Sequence, residues 1–193
     1  PKPAIVDSFR HAGVDVAARL NLKPKSREEL LRSLRRLRNK YEIIAVECDT
    51  PHVSRVAVRD RRVDIVYFPR RERGGLFRRS LATTCRAAIE ISLSELTSGP
   101  TLPARLQSLR REIEAAARSS IDVIGSSKAS NPYELRSPRD IAAVLHLAGL
   151  PLDAALRGVS EIAFAVVRKN RLRLQQPRLE EGVRVIKRSA EDG

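Results

Sequence analysis

Short apolar runs rich in β-branched residues alternate along this chain with helix-length segments, and that alternation constrains the fold more than any other feature. AIVDS (4–8), VAARLNL (16–22), EIIAVE (42–47), VDIVYF (63–68), AIEISL (88–93) and IDVIGSS (121–127) read as strands. The unbroken IIAV within EIIAVE suits a strand covered on both faces. Between them, 27–40, the piece around HVSRVAV (52–58), 78–87 and 103–118 read as helices. A repeated strand–helix–strand unit calls for right-handed crossovers and parallel pairing. The expected class is therefore α/β, as a sheet or a barrel.

Local signals place the helices. Ser26 and Glu29 have the spacing of a capping box, and Leu30, Leu34, Leu37 and Tyr41 then recur on one stripe, leaving Arg32, Arg35, Arg36 and Arg38 to face elsewhere. Leu102, Leu106, Leu109 and Ile113 share a second stripe, and Ser137-Pro138-Arg139-Asp140 reads as a capped helix start with proline at its first position. The last third reads as mostly helical, broken at Pro151, with Ile162, Val166 and Val167 apolar over 160–174 and a final strand in EEGVRVIK (180–187). At 193 residues the chain is expected to form one domain over 1–187, with 188–193 as a frayed tail.

Charge narrows the choice of partner. The chain carries 37 lysines and arginines against 23 acids, a formal net charge of +14, which favours polyanions and above all nucleic acid. Thirty of those cations are arginines, whose guanidinium fork grips phosphate bidentately. Aromatic residues make up only 4% and tryptophan is absent, which argues against single-strand recognition by rows of stacking rings, as in RRM or OB folds. Cys48 and Cys85 are too few and too far apart for a zinc site, and isolated thiols suit a reducing compartment, so a cytoplasmic protein is expected. The opening PKPAIVDSFRHAG lacks the apolar core of a signal peptide, and the longest apolar stretch, 141–152, is too short to span a bilayer.

Catalytic signals are sparse. Asp7, Glu47 and Glu90 fall near carboxyl ends of expected strands, where parallel α/β enzymes place their working groups. Three carboxylates there could hold a divalent cation, as in a metal-dependent phosphoesterase. They could equally be paired with arginines in a polar barrel mouth. His11, His52 and His146 stand apart, without metal-ligand spacing. No nucleophile elbow, Walker loop or dinucleotide fingerprint is present, and Gly74-Gly75 reads as a turn in a basic loop.

Two basic segments are the better candidates. In AVRDRRVDIVYFP (57–69), Arg59 and Arg62 can present guanidinium forks to an RNA backbone, unless Asp60 and Asp64 hold Arg61 or Arg62 in a structural network. In SSKASNPYELRSPRD (126–140), Lys128, Arg136 and Arg139 surround a helix N-terminus, whose free N–H groups favour an anion.

The blocks RDRRVDIVYFP, LFRRSLA (76–82), EISLSEL (90–96) and SSKASNPYELRSPRD followed by IAAVLHLAGL together resemble the archaeal ribonuclease P protein component three family, homologous to the thirty-kilodalton subunit of the eukaryotic enzyme. The resemblance runs from about Ala4 to Val185. It implies a TIM-barrel-like fold related to metal-dependent phosphoesterases, and at 193 residues, against about 250 for a usual barrel, trimmed loops or an irregular barrel. It also implies a non-catalytic protein that supports a catalytic RNA in removing the 5′ leader of precursor tRNA. The magnesium then belongs to the RNA-based reaction, with no cofactor for the protein itself. A small RRM-like subunit is the implied partner, in a two-plus-two assembly. Carried over motif by motif, the implied RNA contacts are Arg59, Arg62, Arg79, Lys128 and Arg136. Arg61 and Arg139 join them from position alone.

Overall fold

In the computed structural model, residues 3–69, 77–97 and 102–175 are described. Five strands, β1 (Arg19–Leu22), β2 (Ile43–Glu47), β3 (Ile65–Tyr67), β4 (Ala88–Ser92) and β5 (Val123–Ser126), pair in parallel and in chain order. The helices among the described residues are α1 (Pro3–His11), α2 (Arg27–Leu37), α3 (Pro51–Ala57), α4 (Arg79–Ala82), α5 (Leu93–Thr97), α6 (Leu102–Arg118), α7 (Pro138–Leu147), α8 (Leu152–Gly158) and α9 (Glu161–Gln175). Strand order without reversal is the winding of a β/α barrel, whereas a doubly wound sheet reverses at a switch point.

Strand alternation divides the core in two. Ile44, Val46, Val66, Ile89, Ile91 and Val123 point outward and bury Leu30, Leu34, Val53, Ala57, Leu109 and Ile113 of the surrounding helices. Ala45, Ile65, Tyr67, Ala88 and Ile124 point inward, against Ile162, Ala163 and Val166 of α9. The last helix thus lies on the inner face and touches both β2 and β5. Arg19 on β1 forms an ion pair with Glu90 on β4. A flat sheet would hold those strands about 14 Å apart, so the pair requires the sheet to curl. Among the described residues β1 and β5 do not pair, and the fold is a TIM-barrel-like arc filled by a helix.

Several expectations need correction. AIVDS is not a strand but the middle of α1. Three apolar residues satisfy either periodicity, and Pro3 at the first helical position with Arg10 and His11 in the last turn decides for helix. Of the helix expected over 78–87, only the single turn of α4 forms, and α5 was not expected. Ser26 caps α2 by accepting from the Glu29 N–H at 3.2 Å, but the Glu29 carboxylate accepts from the Lys25 N–H instead of closing the box. Ser137 and Asp140 do close a full capping box on α7. The strand expected in EEGVRVIK, the turn at Gly74-Gly75 and the tail 188–193 lie outside the described residues.

Candidate nucleic-acid interface

Parallel winding puts every strand-to-helix connection at the carboxyl end of the sheet and every helix-to-strand connection at the opposite end. The seven basic candidates accordingly divide. Arg59, Arg61 and Arg62 lie between α3 and β3, at the amino end. Arg79 opens α4, while Lys128, Arg136 and Arg139 lie between β5 and the first turn of α7, at the carboxyl end. A strand of five residues separates the two groups by roughly 15 Å.

Their availability also differs. Arg62 donates from Nε and Nη2 to the two oxygens of Asp60, at 2.9 and 2.7 Å, and Asp60 also accepts from the Arg62 N–H. The structural network weighed for this loop is therefore present, except that Asp64 pairs with Arg38. Lys128 forms an ion pair with Glu95 and lies 4.2 Å from the centre of the Tyr67 ring, a cation–π contact. Arg136 donates to the carbonyls of Tyr133 and Leu135 while remaining exposed. Arg59, Arg79 and Arg139 are exposed and hold no ion pair among the described residues, and Arg61 is exposed beside them.

At the carboxyl end Lys23, Glu47, Tyr67, Glu95, Arg105 and Lys128 line a shallow cleft of about 300 Å³. This is where a barrel enzyme would carry a metal. The donor set does not fit one. Asp7 is exposed and lies within α1 instead of closing a strand. Glu47 accepts from the Tyr67 hydroxyl at 2.8 Å and forms an ion pair with Lys23. Burial would raise the Glu47 carboxyl, but Lys23 and Tyr67 hold it below its ordinary value. Burial and the Glu47 hydrogen bond push the Tyr67 phenol up, so it remains a donor. Glu90 is gripped bidentately by Arg19. Among the described residues no three metal-ligating side chains converge. The paired-acid reading holds for Glu47 and Glu90.

The amino end carries a network that the sequence stripe on α2 misassigned. Arg38 does not face solvent; it is 5% exposed, donating to both oxygens of Asp64 at 2.6 and 2.9 Å and to Asn170 Oδ1 at 2.6 Å. Its place four residues after Leu34 and eight after Leu30 put it on the buried stripe, a signal legible in hindsight. Nearby, Arg171 ties α9 to Glu42 and Asp15.

A family model described as RNase P subunit p30 matches residues 1–175. The chain belongs to that family. Its relatives include ribonuclease P protein component 3 of Methanocaldococcus jannaschii, 27% identical over 97% of this chain and 82% of the relative. The protein of the same name from Methanosarcina acetivorans is 27% identical over 82% of this chain and 69% of its own length. That of Haloarcula marismortui is 28% identical over 94% and 77%. Among solved structures, a chain in the cryo-EM structure of archaeal ribonuclease P with mature tRNA superposes with a TM-score of 0.80 at 26% identity, over 97% of this chain and 82% of that one. Family membership agrees with the TIM-barrel-like arc, and among the described residues no helix is long and apolar enough to cross a membrane.

Proposed function

We infer that this chain is a protein subunit of ribonuclease P and that it supports the catalytic RNA while that RNA removes the 5′ leader of precursor tRNA. The observation that carries the reading is the likeness, over 97% of the chain, to a chain of archaeal ribonuclease P with tRNA. The chemistry agrees. A large folded RNA resists compaction because its phosphates repel, and a rigid surface of net charge +14 offsets that repulsion without reading bases. The magnesium of the reaction belongs to the RNA, and the protein contributes positioning and charge. Its partner is the small RRM-like subunit in a two-plus-two assembly, acting in the cytoplasm, a setting that the free thiols of Cys48 and Cys85 support.

The test is precursor-tRNA cleavage by the cognate RNA at limiting magnesium, with the RRM-like subunit and with or without this chain. Addition is expected to raise the rate about tenfold, equivalent to about 1.4 kcal/mol of barrier. Equal rates with and without the chain, at every magnesium concentration, would reject the reading.

Salt dependence identifies the end that meets RNA. A phosphate contact contributes about one unit to the slope of log affinity against log salt. Arg79→Ala and Arg139→Ala are each expected to lower the slope by about one if the carboxyl end binds, and Arg59→Ala if the amino end binds. An unchanged slope removes that residue from the contact set.

A further inference from the structure

At the amino end of the arc, four buried donor atoms lack an acceptor among the described residues: Arg38 Nε, Asn170 Nδ2, and Arg173 Nε and Nη2. Arg38 and Asn170 are 5% and 1% exposed and already hydrogen-bonded to each other, so neither can turn to water without breaking that contact. Arg173 lies one helical turn beyond Asn170 on α9 and within electrostatic reach of Arg38 and Asp64. Burial and the like charge of Arg38 weaken its hold on its proton.

The charges do not balance. Asp64 already accepts three hydrogen bonds, from Arg38 Nη1 and Nη2 and from the Ile44 N–H, and its single charge is matched by Arg38. One guanidinium, that of Arg173, is left over, half-buried, with Nε and Nη2 unpaired among the described residues. A buried donor without an acceptor costs about 1–3 kcal/mol, and more when charged, so such a cluster persists where something supplies acceptor oxygens and negative charge. We propose that Arg38, Asn170 and Arg173 form an oxyanion site that takes a phosphate group. A tetrahedral oxyanion offers several acceptors to donors arriving from different directions, and guanidinium is its usual partner. The phosphate can come from solution or from an RNA backbone; the second source rests on the function proposed above and would place a contact beside the Arg59 loop.

The experiment begins without RNA. The melting temperature of the full chain is measured in inorganic phosphate and in chloride at equal ionic strength. Wild type is expected to rise by roughly 5–10 °C at a phosphate concentration about a hundredfold above its dissociation constant. Arg173→Gln should show no phosphate-specific rise, whereas Arg168→Gln, exposed on the same helix, should respond as wild type does. Asn170→Asp, which builds an anion into the site, should raise stability in chloride and abolish the phosphate response, a readout that stands even if Arg173→Gln fails to fold. Equal melting of wild type in the two salts, or a full phosphate response in Arg173→Gln, overturns the proposal. A second arm measures RNA binding: a slope lowered by about one in Arg173→Gln, with competition by phosphate, names the RNA backbone as the source, and an unchanged slope names the free anion. Failure of wild type to bind RNA would count against the proposed function and leave the phosphate arm intact.

Discussion

Arg19→Ala is expected to lower the stability of the fold by about 3 kcal/mol at neutral pH, because it leaves a buried carboxylate without its cation. The Glu90 side chain is 1% exposed and faces the inside of the arc, where both of its oxygens accept from Arg19. Burial alone would raise the Glu90 carboxyl; the hydrogen bonds and charge of Arg19 outweigh it and hold the group below its ordinary 4.5. A folded-state value below the unfolded one contributes stability above the unfolded value, and that contribution is lost as pH falls through the folded value. Without Arg19 the sign reverses: burial lifts Glu90 above 4.5, so the variant takes up a proton on folding. The gap between variant and wild type should therefore be widest at pH 7 and narrow towards pH 4. Replacing both residues together, as Arg19→Met with Glu90→Leu, should recover most of the loss, since an apolar pair needs no compensation. Urea denaturation across that pH range checks all three statements. A deficit below about 1 kcal/mol, or one independent of pH, would show that the pair does not stabilise the curled sheet.

Gly158→Ala is expected to cost about 2–3 kcal/mol, a case of overpacking against backbone. A Cβ at Gly158 would stand 2.4 Å from the carbonyl oxygen of Val123, and that carbonyl belongs to β5 and cannot rotate away. At Gly125 a Cβ would meet only side chains, Ile141 Cγ2 at 2.5 Å and Leu145 Cδ1 at 2.9 Å, which can give. Gly125→Ala should accordingly be milder. Alanine is worth up to about 1 kcal/mol over glycine inside a helix, so a neutral or stabilised Gly158→Ala in thermal unfolding would mean that α8 can lift off β5. The close approach also matters for the site, because α8 leads directly into α9, which carries Asn170 and Arg173.

Most of the architecture is legible from periodicity because it is encoded locally. β2 to β5 lie within the apolar runs that mark them, and α2, α6 and α7 within their stripes and caps. α1 was misread because AIV is too short for either period to win, and its helix is settled by a proline and a pair of terminal cations. The helix expected over 78–87 is one turn long: the N–H groups of Thr84 and Cys85 reach back only three residues, to Leu81 and Ala82, and that of Arg86 goes to the Val58 carbonyl beyond the helix.

The candidate site was legible only as an inventory of cations. By itself the sequence determined the α/β class, the parallel winding, the excess positive charge and the family motifs, all of which arise from contacts a few residues apart or from composition. Only the tertiary structure decided which charges face outward. Arg19 meets Glu90 across 71 residues, Arg38 meets Asp64 across 26 and Arg171 meets Asp15 across 156. Such pairings depend on how far the sheet curls and where α9 enters it, and no local pattern records either. Strand direction in the parallel sheet puts Arg59, Arg61 and Arg62 at one end of the strands and Arg79, Lys128, Arg136 and Arg139 at the other, a division that no residue's local sequence marks.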